Sequence, residues 1–291
     1  MLKRLTNHQI DKEKWDLAIL NADESHVYML SWYLDIVSPG WECIVFDDYK
    51  IIFPLPVKYK YCIPYLVQPL LCQKSGIFGI GVNDKIAKAF YKKIFWEFPY
   101  FNLKLSNALG LHKTKYLNGK INYTLDLTAD YDILVKDYKK NTLRNIKKAK
   151  KVNLFLSECD VNSFLAFGKT YIQGINESEY ITFTSLALKA SKKGKTHILK
   201  VCNQEGEILA AACFLIWNMQ IVYLAGASSP QGKELLAMHL IFDGLIKEYA
   251  ATGWLLDFEG SMISGVAKFF RGFGGKASYY YHVKKYLFFY R

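Results

Sequence analysis

The residues best suited to chemistry gather near the C-terminus, in WLLDFEGSMISGVAKFFRGFGG, from Trp254 to Gly275. Trp254, Leu255 and Leu256 form an apolar run with the bulk of a buried strand, and Asp257 and Glu259 set carboxylates where that strand would leave the core. Gly260 and Ser261 can turn the chain and cap a helix that brings Lys268 and Arg271 to the same rim. Two acids and two bases would converge there, groups able to serve acid–base chemistry or to hold a charged ligand. Gly272, Gly274 and Gly275 follow the basic pair, so that neighbouring backbone N–H groups could approach a ligand closely. The plainer account is an acidic strand exit followed by ordinary solvated helix charges.

A second concentration of charge lies in DYKKNTLRNIKKAKKVNL. Lys139 to Lys151 holds seven Lys/Arg and no acid, more than half of the net charge of +12. With Asn141 as cap, a helix to Lys151 puts Lys140, Arg144, Lys147 and Lys151 on one face. Like charges at helical spacing repel by a few tenths of a kcal/mol per pair, about the scale a polyanion would offset. A solvated basic face is the alternative.

Elsewhere the sequence excludes more than it offers. No G-x-S-x-G elbow, H-E-x-x-H or Walker sequence occurs, and Gly76 to Gly81 lacks both the P-loop lysine and the dinucleotide spacing. His239 and His197 fall within a helix and a strand and read as packed residues. The six cysteines show no C-x-x-C spacing, as expected of reduced core thiols, and neither zinc nor any other metal site is indicated. The aromatic tail from Tyr279 to Tyr290 reads as buried strand, with a base-stacking platform as the alternative. The longest apolar run, Ile208 to Trp217, is too short to span a bilayer, and the charged N-terminus does not resemble a secretory signal, so a cytoplasmic location is expected.

The elements that must position these residues suggest two cores in 291 residues. Residues 1–128 mix a helix over Asp11–Val37, a hairpin around Asp47-Asp48, a helix from Asn83 to Glu97, and strands at Phe101–Leu105 and Ile121–Leu127. Residues 129–291 contain the basic helix, two further helices, three strands (Lys195–Cys202, Ile208–Trp217, Gln220–Ala225), a helix over Lys233–Ala251, and the strand and helix described first. The expected class is α/β (α+β), each domain a mixed, largely antiparallel sheet flanked by helices.

Three stretches carry a family resemblance: WYLDIVSPGWEC…YKIIFPLPVK…YLVQPLLCQKSGIF, then Thr142, Arg144, Ile146 and Ala149 as a T-x-x-x-I-x-x-A helix, then DFEGS…GVAKFFRGFGG. Together they resemble the FemAB-like proteins, peptidoglycan-bridge aminoacyltransferases of the GNAT superfamily. The resemblance implies two tandem GNAT-like domains, the first helping to form the acceptor groove, the second carrying the chemistry, and a tail that closes onto the first. It implies that Arg144, with Lys140 and Lys147, faces the phosphates of a nucleotide-linked acceptor in a basic groove. It also implies that Lys268 or Arg271, helped by N–H groups around Gly272 and Gly274, stabilises the oxyanion or a phosphate, while Asp257 or Glu259 serves the amine. No bound cofactor is implied. The co-substrate is an aminoacyl-tRNA or acyl-CoA. The Gly226-to-Gly232 loop contains Pro230 and lacks the second glycine of a coenzyme A nest, which puts a coenzyme A donor in doubt. The resemblance implies the same loss in proteins that use aminoacyl-tRNA, and the donor stays open between the two. The alternatives are an acetyl-CoA-dependent N-acyltransferase on a small amine or sugar, and a non-catalytic polyanion-binding module.

Overall fold

The computed structural model describes residues 1–112, 114, 116–259 and 263–286. The chain forms two compact units, Met1–Lys120 joined by the residues from Tyr279 on, and Ile121–Ser278. The crossing at 120/121 lies a few residues before the boundary expected at 128/129. The C-terminal strand, assigned from sequence to the second domain, belongs largely to the first unit, because its residues pair there.

In the first unit the chain runs β1 (Leu2–Leu5), α1 (Lys12–Leu20), α2 (Ser31–Val37), β2 (Glu42–Phe46), β3 (Ile51–Leu55), β4 (Val57–Lys60), β5 (Ile63–Val67), β6 (Phe78–Gly79), α3 (Asp84–Glu97) and β7 (Tyr100–Leu105). The single helix expected over Asp11–Val37 is two. Polar Asn21 to His26 interrupts it, and the chain folds back so that Asp16 accepts hydrogen bonds from the Ser31 N–H (2.6 Å) and hydroxyl (2.8 Å). Helix α3 begins as its sequence dictates, with Asn83 Oδ1 accepting from the Lys85 and Ile86 N–H groups. Its buried face, Ala87, Phe90, Tyr91 and Ile94, packs into one core with Phe101, Leu103 and Leu105 of β7.

The second unit contains β8 (Leu117–Asp126, from Ile121 on), α4 (Tyr131–Lys136), α5 (Lys140–Lys150), β9 (Phe155–Glu158), α6 (Val161–Tyr171), α7 (Glu177–Lys192), β10 (Thr196–Cys202), β11 (Ile208–Trp217), β12 (Gln220–Ser228), α8 (Pro230–Glu234), α9 (Ala237–Tyr249), β13 (Leu255–Asp257) and α10 (Ser264–Gly272); β14 (Lys276–Lys285) then returns to pair with β7. Its strand order is β8-β13-β12-β11-β10-β9, antiparallel except for the parallel pair β12–β13. Strand β11 is apolar throughout because it is buried on both faces. Ala210, Ala212 and Phe214 join the core beneath α9, and the alternate residues face the side where α6 packs. The long helix expected over Lys233–Ala251 is broken at Leu236, whose φ is +62°. The second unit is thus a mixed, largely antiparallel sheet flanked by helices; the first holds the antiparallel sheet β1-β2-β3-β6 and, apart from it, the strands β4, β5, β7 and β14, of which β5 and β7 pair in parallel.

All six cysteines are free, and burial pushes the Cys43 and Cys213 thiols up to about 12, leaving them inert as nucleophiles. Among the described residues no helix is long and apolar enough to cross a membrane.

Candidate active site

Strands β12 and β13 run side by side for three residues only, Gln220–Val222 against Leu255–Asp257. Beyond that point they part. Strand β12 continues to Ser228 paired with β11, across an irregularity between Cys213 and Phe214, while Phe258 follows β8 by donating its N–H to the Tyr123 carbonyl at 3.0 Å. A bulge beside a strand parting re-aims side chains, and such places recur next to active sites. Here the parting is walled by rings. Tyr223 meets Phe242 of α9 at 5.2 Å and Phe270 of α10 at 6.0 Å, and Phe270 stacks on Phe258 at 4.9 Å.

The two carboxylates at the end of β13 differ in kind. Asp257 is buried, and its Oδ1 accepts from Asn122 Nδ2 (2.9 Å) and from the Glu259 N–H (2.8 Å). Such a group fixes a turn. Glu259 is half-buried and held at φ +54°, a conformation that costs a non-glycine residue about 1–2 kcal/mol. It lies close enough to Tyr223 to act on its titration. Burial, and to a lesser degree Cys213 and Glu259, hold that phenol well above its ordinary range. The Tyr223 hydroxyl lies over the backbone of Gly226, 2.6 Å from where a Cβ would stand.

The cations are not gathered onto these acids. Lys268 and Arg271 are exposed on α10, whose Ala267 and Phe270 turn inward, and neither forms an ion pair with Asp257 or Glu259. Arg271 Nε instead donates to the Ala267 carbonyl at 3.3 Å. The convergence of two acids and two bases expected from sequence is therefore corrected: the spacing of α10 carries its charges around to solvent. The expected cap of α10 by Gly260 and Ser261 lies outside the described residues.

The glycines that follow also differ from the expectation. Gly274 and Gly275 give their N–H groups to the carbonyls of Arg271 and Phe270 (3.2 Å each), closing the end of α10. Gly272 makes room for a neighbour, since a Cβ there would stand 2.3 Å from Thr142 Oγ1, and one on Gly274 would stand 3.2 Å from Asp137 Cβ. They are packing and capping glycines rather than an anion loop.

That packing brings in the basic helix. The Lys139 N–H donates to the Gly272 carbonyl at 2.9 Å, so α5 starts against the end of α10. Its inner face, Thr142, Ile146 and Ala149, is buried, and Lys140, Arg144, Lys147 and Lys151 lie exposed along the outer face as expected. The helix starts at Lys140, with no side-chain cap from Lys139, and Asn141 instead accepts a hydrogen bond from Arg144. Among the described residues these four cations have no ion-pair partner, whereas Lys150 reaches the buried Asp243 (2.8 Å), which also accepts from Tyr131 (2.7 Å).

Two features escaped sequence reasoning. Asn145 of α5 and His239 of α9 sit 3.2 Å apart, with the imidazole edge-on to Phe269 at 5.0 Å. Burial lowers the His239 pKa, so the ring is held neutral. The other is the Gly226-to-Gly232 loop. The Ser229 N–H donates to the Leu209 carbonyl (2.9 Å), the Gly232 N–H to Ser229 Oγ (3.0 Å) and the Lys233 N–H to the Ser229 carbonyl (3.0 Å), and Pro230 has no N–H to offer. Ser229 is the one sign of this in the sequence, a capping residue directly before proline. Among the described residues no group of three His, Cys, Asp or Glu side chains could hold a metal.

No family model and no curated protein matches this sequence. Solved structures do. The chain is similar to FemX over 97% of each chain, at 13% identity and a TM-score of 0.71. It is also similar to a conserved protein of unknown function from Bacteroides thetaiotaomicron (11% identity, 94% of this chain and 97% of that one, TM-score 0.61) and to L-PGS from Bacillus licheniformis (11%, 88% and 87%, 0.54). The chain has the fold of FemX, in accord with the architecture expected from its sequence.

Proposed function

We propose that this chain is an acyltransferase that moves an acyl or aminoacyl group from an activated donor onto an amine. The observation that carries the reading is the parting of β12 and β13 with Glu259 at its mouth, on a chain with the fold of FemX. Aminolysis needs a neutral amine held against a carbonyl, and needs no covalent enzyme intermediate. Glu259 takes the amine proton as the N–C bond forms and returns it to the donor oxygen or sulfur as that atom's bond to the carbonyl breaks. Asp257 positions Glu259 through its N–H, and the edge of β12 past Val222, unpaired with β13 among the described residues, offers backbone groups to an extended, amide-bearing substrate. Lys268 and Arg271, exposed on α10, are left to meet a substrate phosphate from the solvent side. Arg144, Lys140 and Lys147 hold the phosphates of a nucleotide-linked acceptor of the peptidoglycan-precursor type.

The donor assigned is an aminoacyl-tRNA. What favours it over acyl-CoA is the Gly226-to-Gly232 loop, whose N–H groups at Ser229, Gly232 and Lys233 are already bonded within the protein. The test is to incubate the protein separately with charged tRNA and with acetyl-CoA over a panel of amine acceptors and to follow the acceptor by mass. Gain of an aminoacyl mass from tRNA is expected. Gain of acetyl from acetyl-CoA would select the N-acyltransferase alternative, and no transfer from either donor would leave only a polyanion-binding module.

A further inference from the structure

One end of the first unit carries an apolar surface that the proposed transfer does not use. Strands β4 and β5 form a hairpin in which Lys60 pairs with Ile63, leaving Tyr61 and Cys62 as a two-residue turn. Both have positive φ, 49° and 62°. Turns of this kind favour Asn-Gly, because left-handed backbone costs other residues about 1–2 kcal/mol each. Here the strained positions hold a tyrosine that is 84% exposed and an exposed cysteine, and Tyr59 and Ile63 beside them are more than half exposed.

The surface continues onto the last turn of α3. Tyr59 Oη donates to Glu42 (3.4 Å), Arg4 bridges Glu42 (2.6 Å) and Glu97 (3.2 Å), and next to Glu97 stands Trp96, 89% exposed. Lys93 also pairs with Glu97, at 2.5 Å, so both carboxylates here are neutralised. Lys60 lies over the Tyr61 ring at 5.7 Å, and Lys58 and Lys92 are exposed on the same hairpin and helix. Behind the hairpin, Tyr65, Tyr100 and Tyr286 pack edge-to-face at 6.0 and 5.2 Å, turning ring edges rather than flat faces to one another.

Exposed Trp and Tyr, an exposed aliphatic residue beside a strained tip, neutralised acids and exposed lysines on the same elements fit the boundary between lipid headgroups and acyl chains. We infer that this end of the first unit, the β4–β5 turn with Trp96, docks on an anionic bilayer surface, rings inserted and lysines among the headgroups. Single-stranded nucleic acid would share the charge complementarity but would call for flat ring faces along a groove.

The test uses the full chain and vesicles of phosphatidylcholine, with and without roughly one-third phosphatidylglycerol. Co-sedimentation with the anionic vesicles is expected, weakening as salt rises. Tyr61→Ser combined with Trp96→Ser should lower partitioning at least about tenfold without moving the melting temperature, since both side chains are exposed. Tyr61→Asn with Cys62→Gly should relax the turn, raising the melting temperature while lowering vesicle binding. The inference is overturned if the wild type does not bind anionic vesicles, if the Tyr61/Trp96 variant binds as well as wild type, or if Tyr61 and Trp96 are needed for oligouridylate and not for vesicles.

Discussion

Asp257 and Glu259 are two residues apart in one strand exit, yet their surroundings are opposite. Asp257 is enclosed and hydrogen-bonded by a side chain from β8 and by the backbone of the turn, whereas Glu259 sits strained at the edge of the parting between β12 and β13. A buried acceptor of two N–H groups is an architectural carboxylate. Glu259 is half-buried and strained where the strands part, and strain of this kind collects at functional sites. On the proposed reading, the contrast separates holding from reacting within a single turn.

Asp257→Ala should break that contrast most severely. It leaves Asn122 and the Glu259 N–H without their acceptor, so urea unfolding should show a loss of about 2–3 kcal/mol. Transfer should fall about a hundredfold, as displaced turns do. Gly272→Ala comes next, because its methyl would collide with Thr142 where α5 meets α10. A loss of about 1–3 kcal/mol is expected, largely restored when Thr142→Ala is added, and a double-mutant cycle in denaturant measures it. Glu259→Gly should go the other way, stabilising by about 0.5–1 kcal/mol as the strain is released while transfer is lost.

Two smaller effects sharpen the picture away from the turn. His239 has a lowered pKa in the fold, so the unfolded chain binds its proton more readily; stability should be full above about pH 6.5 and decline below it. His239→Gln should flatten that decline in melting curves taken between about pH 7 and pH 5. Lys140→Ser with Lys147→Ser should leave stability within about 0.5 kcal/mol. It should also reduce the slope of log affinity against log salt for tRNA by about 0.7 per lost phosphate contact.

What could be read from sequence was set by local patterning. Ile208–Trp217 was legible to the residue, since a strand covered on both faces is a plain apolar run bounded by polar turns, and the outer face of α5 followed from helical spacing alone. What was hidden depends on distant partners. Asn122 and Asp257 are 135 residues apart, and only the pairing of β8 with β13 brings them together. The glycines after Arg271 looked like ligand-facing positions because a sequence does not show that Thr142 and Asp137 occupy the space in front of them. The break at Leu236 gave no glycine or proline to announce it. The solvent-facing placement of Lys268 and Arg271 was open to periodicity, had Ala267 and Phe270 been taken as the inner face of α10.

On the proposed reading, Glu259 takes the proton from the attacking amine and Asp257 only holds Glu259 in place. Single-turnover transfer from charged tRNA, compared between wild type and Glu259→Gln at equal folded fraction, tests it most directly. A drop of about a hundredfold or more, with the unfolding midpoint unchanged, is the result the account predicts. Equal rates in the two proteins would contradict it.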